Sequence, residues 1–295
     1  YGGRFTQQTS TDQVLYAVQA LDRFGAVASE AERREIARMI GFMIGFWVKR
    51  RYRFGYYHIP DMEWPLARFP SLLLLAHRHT GEAPFRAEYE RLLAEGVNRH
   101  PGESRLRRKR SGEVPPSDFE REQQAWVLFS TADAVTMDIM ELEYLLRHDP
   151  GSEWADCWRR SVATMWAEGA ASLAPDGRVY VQCLVDMRTG EPRPLPPRSP
   201  GSCAHMAYFS GAKSGWSSMI ARAGVQAAPH LDAPAPALAA ARRILEALDL
   251  QDLSYVDEPE RFEPRHRFKT RFLSGDAMAN WLWAYWLGRR AGAWK

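Results

Sequence analysis

Apolar positions recur along this chain with the 3.6-residue period of amphipathic helices, and loops rich in proline, glycine, carboxylates and aromatics separate them. Over 12–24, Val14, Leu15, Val18 and Leu21 share a face, with Thr11 or Asp12 placed to cap the start and Gly25 to end it. Over 29–50, Ser29 and Glu32 form a capping-box pattern, and Ile36, Met39, Ile40, Met43, Ile44 and Trp47 form one stripe. A helix over 63–80 starts at Trp64-Pro65 and runs through Leu72 to Ala76, with Pro70 expected to end or kink a turn. Its partner, 85–98, turns Tyr89, Leu92 and Leu93 inward. A third hairpin pairs 117–147 with 152–172, where Trp154, Trp158, Val162 and Met165 recur at helical intervals. The pattern then changes. Arg178 to Asp186 reads as a strand after the Pro175-Asp176-Gly177 turn, and a proline-rich loop, 191–200, follows. A fourth helical pair covers 203–223 and 235–248. An irregular stretch, 250–270, holds a short strand at 253–256, and a last helix covers 275–291 with Met278, Trp281, Leu282 and Tyr285. The fold predicted is mostly α, a single domain over 1–295 built of helical hairpins, with a short β insertion near 176–187.

The loops that lead into the helices share a composition. They are Thr9 to Gln13, Tyr56 to Trp64, Pro115 to Glu120, Ser202 to Tyr208 and Ser274 to Trp281. Each mixes small polar residues with aromatics or a carboxylate. Hairpins stacked around a ring would bring all five to one mouth, walled by indoles and acids. That chemistry suits a sugar, whose C–H faces lie on aromatic rings while its hydroxyls take hydrogen bonds.

Composition narrows the classes. A chain of 295 residues, 45% hydrophobic, has ample core. Its 11 tryptophans exceed what a core alone asks for, since a buried indole N–H needs a partner. A net charge of +3 does not argue for nucleic acid. The one basic run, Arg105 to Arg110, lies near prolines and reads as an exposed loop, either solvated or an anion-attracting rim. Cys157, Cys183 and Cys203 are far apart and odd in number, so no disulfide framework or cysteine zinc site follows. No apolar run reaches the ~20 residues of a membrane span. The absent initiating methionine reads as a trimmed N-terminus.

Ser10-Thr11-Asp12-Gln13, the stretch His58 to Trp64, and Gly275-Asp276 with Asn280-Trp281 resemble the motifs of (α/α) toroid carbohydrate-active enzymes. These are the six-hairpin glycosidases and the polysaccharide lyases that share their architecture. The resemblance implies an (α/α) toroid, here with fewer helices than a full ring, and so an incomplete or N-terminally trimmed barrel.

Glycoside hydrolysis asks for two carboxyl groups, one to protonate the leaving oxygen and one to activate water or attack. Asp12, Asp61, Glu63, Asp118, Glu120 and Asp276 all stand where a loop meets a helix. A helix N-terminus favours an ionised carboxylate, which suits a base, and that role is assigned to Asp12. Packing against an indole such as Trp64 desolvates a carboxyl and suits an acid, and Asp61 or Glu63 takes that role. The competing reading of every one of these acids is an N-cap. His58 with Tyr57, or His205 with Tyr208, could instead abstract a proton beside a uronate carboxylate, which would make the chain a lyase. Arg4, Arg68 or Lys213 would then neutralise the uronate. Substrate contacts are expected from Gln13, Tyr57, Trp64, Arg68, His205, Tyr208, Trp216 and Trp281. A third reading is a non-catalytic helical scaffold that binds carbohydrate. His77 and His79 alternate and cannot share a helix face, and no Glu-x-x-His motif accompanies Asp133, Asp138, Glu141 and Glu143, which read as a solvated or cap-pairing face. No metal and no cofactor are therefore expected, and the partner is a carbohydrate substrate, with neither nucleic acid nor membrane.

Overall fold

The computed structural model describes residues 11–56, 59–98, 105–129, 132–177, 179–180, 182–196, 216–248 and 275–294. Among these the chain is mostly helical, with short antiparallel sheets. Its contacts divide it into two compact units, Tyr1–His100 with Tyr144–Trp158, and Pro101–Glu143 with Arg159–Lys295.

The first unit opens with α1 (Thr11–Gly25) and α2 (Glu30–Lys49). Ser29 caps α2, and Glu32 reaches back to the Ser29 N–H at 2.7 Å, completing the capping box. Ile36, Ile40, Ile44 and Trp47 are buried along α2, while Met39 is 39% exposed, so the buried stripe is narrower than the sequence pattern. After α2, Arg51 and Tyr52 take left-handed backbone (φ 51° and 60°) and turn the chain into a hairpin. Its strands, β1 (Arg53–Tyr56) and β2 (Ile59–Glu63), pair Arg53 with Glu63 and Phe54 with Met62. The loop-and-helix reading of 56–80 is corrected here. A 3-10 turn, Leu66–Arg68, follows the hairpin, and α3 (Phe69–Thr80) begins only at Phe69. Pro70 opens α3 instead of ending it, because a first-turn residue has no helical N–H bond to lose. Gly81, at φ 73°, closes α3 in the left-handed cap that glycine adopts without strain.

Then α4 (Ala83–Ala94) buries Tyr89, Leu92 and Leu93. The core of the unit is aromatic. Trp47 meets Trp64 at 5.9 Å edge-on and Phe69 at 5.5 Å, and Tyr52 meets Phe69 at 4.4 Å between ring centroids. Tyr52 Oη reaches α4 by donating to Glu88 at 2.6 Å.

Two sequence readings change in the second unit. Arg105–Arg110, read as a loop, is a short helix, α5, that buries Leu106. The single helix read over 117–147 is three elements: α6 (Asp118–Gln123), β3 (Ala125–Phe129) and α7 (Ala132–His148). Gln124 breaks the helix with φ 49°. The apolar run that follows pairs antiparallel with β4 (Gln182–Asp186), and β5 (Pro192–Pro194) completes the sheet. An apolar run this short carries no period that separates strand from helix, so pairing decides. Glu120 binds these pieces together. It is buried, accepts from Lys109 Nζ at 2.5 Å and from the Val127 N–H at 2.8 Å, and caps α6 through Ser117.

The helix α8 (Ala155–Ala171) follows α7, and its Glu168 accepts from the Leu106 N–H at 3.0 Å. Further along, α9 (Trp216–Ala227) packs against both α10 (Pro234–Ala247) and α11 (Gly275–Arg290). Arg222 is fully buried in α9, its guanidinium 4.5 Å from the centre of the Trp283 ring. Glu141 and Glu143, read as a solvated face, are buried at 2% and 5% exposure, and Asp138 is half-buried. Their apolar helical neighbours carry them inside, where a carboxylate needs partners that the pattern of charges does not reveal. Stretches 203–215 and 250–270, including the strand expected at 253–256, lie outside the described residues.

Candidate functional site

Two of the polar junctions meet in the first unit. Arg68, the last residue of the 3-10 turn before α3, donates from Nη1 to Thr11 Oγ1 at 3.0 Å, and Thr11 is the buried first residue of α1. The backbone beside Arg68 is tied further. Asn98 Nδ2 donates to Ala67 O at 2.7 Å, and Trp158 Nε1 donates to Asn98 O at 3.0 Å. The start of α1, the approach to α3, the turn after α4 and the first turns of α8 therefore share one hydrogen-bonded edge. Asp12 and Gln13 follow Thr11 on that edge. Gln13 is exposed, and the side chain of Asp12 lies outside the described residues.

Asp61 and Glu63 alternate along β2 and so project from the same face of the hairpin. Arg53, directly across the ladder, grips both. Its Nε and Nη2 donate to Asp61 Oδ2 at 3.0 and 2.9 Å, and its Nη1 donates to Glu63 Oε2 at 3.2 Å. The hydrogen bond to Asp61, then its charge, holds the Arg53 guanidinium above its ordinary value. The expected packing of these acids on Trp64 is corrected. They are 62% and 72% exposed, while Trp64 is buried against Trp47. Trp64 is a core residue, 7% exposed with its ring edge-on to Trp47 of α2, so it offers no open face to a sugar. Arg53 was not singled out from the sequence. Its signal was the alternation Arg53-Phe54 against Met62-Glu63, which becomes readable only once a hairpin is assumed.

A second charged cluster joins α1, α3 and α7 within the same unit. His79 Nε2 lies 2.9 Å from Asp22 Oδ1, and His148 Nε2 stands 3.9 Å from the other carboxylate oxygen. Burial, then the neighbouring Arg78, pushes the His148 imidazole down to about 4 against the pull of Asp22. Burial raises the Asp22 carboxyl, but the His79 bond and the charges of His148, His79 and Arg78 outweigh it and hold it below its ordinary value. An Asp–His pair can orient a general base, yet no Ser or Cys among the described residues hydrogen-bonds either imidazole, so no nucleophile completes it. Sequence reading missed this cluster because 57 positions separate Asp22 from His79.

Trp281 lines a cavity of the second unit with Tyr285, described below. Trp216 begins α9 and Asp276 lies in the first turn of α11, but both side chains are outside the described residues. Tyr57, His58, His205 and Tyr208 are outside them altogether, as are Arg4 and Lys213. Ser117 and Glu120 form a capping box on α6, and Asp118 pairs with Arg121 on the same helix. Glu120 is thereby spent on structure. Among the described residues no group of three His, Cys, Asp or Glu side chains is set to hold a metal, and Cys157 and Cys183 are buried free thiols. Burial pushes the Cys183 thiol up to about 12, which makes it a poor nucleophile. No described helix is long and apolar enough to cross a membrane.

No family model, no curated protein and no solved structure matches this chain.

Proposed function

We propose that this chain is a carbohydrate-active enzyme of (α/α) toroid type, a glycoside hydrolase whose reaction centre lies at the joined starts of α1 and α3. The observation that carries the reading is the Arg68–Thr11 hydrogen bond, which draws two polar junctions 57 positions apart to one edge. Convergence of such junctions is what a hairpin ring requires of a common mouth. Asp12, in the first turn of α1, is the proposed base, favoured as a carboxylate by the positive end of the helix dipole. Glu63 is the proposed acid in preference to Asp61. Arg53 holds Asp61 by two contacts of 2.9–3.0 Å and Glu63 by one of 3.2 Å, so Glu63 is the freer to swing onto a leaving oxygen. Such catalytic contacts tighten only when substrate closes the site. Arg68 and Gln13 line the approach.

Incubation with a panel of neutral and uronate-containing oligosaccharides, read by release of reducing ends, tests the reading. Turnover by the parent chain, lost by at least about 100-fold in Asp12→Asn and in Glu63→Gln with unchanged melting, is the expected result. Undiminished turnover in both variants removes the assignment. Products absorbing near the ultraviolet band of an unsaturated uronate would instead make the chain a lyase.

A further inference from the structure

We infer that the cavity formed by α10, α11 and the C-terminal segment is a saccharide-binding site, taking an oligosaccharide by the flat C–H faces of its pyranose rings. The inference rests on the carbohydrate reading for its ligand class, but its geometry stands within the second unit alone and requires no hydrolysis. Among the described residues the cavity is about 740 Å³, lined by Arg242, Leu245 and Glu246 of α10, Trp281 and Tyr285 of α11, and the segment Gly292 to Trp294. That volume falls within the ~300–1,000 Å³ of ligand pockets.

The rings are held so that they offer faces and not N–H groups. Trp281 Nε1 donates to Leu245 O at 3.3 Å, and Trp294 Nε1 donates to Tyr285 O at 3.0 Å. Trp281 and Tyr285 stack at 5.2 Å with an 11° tilt, so each ring covers one face of the other and keeps its opposite face for a guest, on successive turns of α11. Trp294 folds back onto the same helix because position 288 is glycine. A Cβ there would lie 1.8 Å from the Trp294 ring, so the wall exists only without a side chain.

The polar side of the cavity decides the ligand class. Arg242 Nε donates to Glu246 Oε1 at 2.7 Å, and the two side chains remain 59% and 62% exposed. An alkyl or purely aromatic guest would strip water from this pair and return no hydrogen bond. A sugar places hydroxyls at its rim, where one can donate to Glu246 while another accepts from Arg242. Faces for the ring and a donor–acceptor pair for its edge are the two things a pyranose asks for.

The test uses the full chain and its Asp12→Asn variant, which suppresses turnover. Both are titrated with cellobiose, maltotriose and a uronate trisaccharide, followed by tryptophan fluorescence and calorimetry. Anilinonaphthalene sulfonate serves as an apolar competitor. Saturable binding of at least one saccharide is expected, weakened about tenfold by Tyr285→Ala, the loss of one stacked ring. A similar loss is expected from Glu246→Gln, whose exposed position leaves folding intact. Binding of the dye alone, or saccharide binding untouched by either substitution, overturns the inference. Hydrolysis together with saccharide binding that neither substitution weakens would leave the proposed enzyme standing without this site, and binding weakened by both substitutions in a chain that hydrolyses nothing would do the reverse.

Discussion

Burial raises the Glu120 carboxyl, yet Lys109 and the backbone N–H groups of Ser117 and Val127 outweigh it and hold the group below its ordinary value. Its loss would leave the Lys109 ammonium, only 18% exposed, without its carboxylate. Glu120→Ala is expected to cost about 3 kcal/mol in urea unfolding, and Glu120→Gln less, because the amide still accepts from Lys109. His148 sets a pH dependence of known sign. Its folded pKa is about 4 against 6.5 for the free group, so the unfolded chain binds a proton that the folded chain refuses. Stability from this group is intact above pH 6.5 and falls as the pH drops towards 4. The expected loss from pH 7 to 5 is on the order of 1–2 kcal/mol, and His148→Gln should flatten that part of the melting profile. Asp22, with a lowered pKa, adds a second loss below about 4. Legibility at this scale was uneven. Glu120 stood among the acids at helix entries for which an N-cap was the competing reading. Nothing local marked it as the partner of Lys109, or Asp22 as the partner of His79.

At the scale of elements, capping patterns and helical stripes translated directly, since both depend on residues three or four apart. Ser29 both caps Glu32 N–H and receives the Glu32 carboxylate, so Ser29→Ala is expected to cost about 1 kcal/mol and to fray the first turn of α2, measured by thermal melting with amide exchange. Gly288 carries a different burden. A Cβ at that position meets Trp294 at 1.8 Å, so Gly288→Ala should expel the Trp294 ring and open the cavity wall. The expected readout is a red-shifted, more quenchable tryptophan emission with little change in helix content. The strands that were misread have one cause. The runs at 53–63 and 125–129 are short enough to serve either period, and only a partner strand decides for β. The partner of 125–129 lies at 182–186, far along the chain.

Across the whole molecule, the informative links are those that close long stretches of chain. Trp158 is fully buried and donates to Asn98 O, 60 positions away, at the edge where Arg68 meets Thr11. Trp158→Phe keeps an aromatic ring but deletes part of the indole along with that donor. A loss of about 2–4 kcal/mol by chemical denaturation is expected, from the space left in the core and from Asn98 O left unsatisfied. The linear pattern by itself determined the helical class, the Ser29–Glu32 capping box and the supply of aromatic residues, because period and capping are written within a few residues. Tertiary structure alone decided that Trp64 is core and Trp281 lines a cavity, that Asp61 and Glu63 share Arg53, and that Asp22 meets two histidines. Burial and pairing depend on what the distant chain brings to a side chain, and spacing along the chain does not encode that distance.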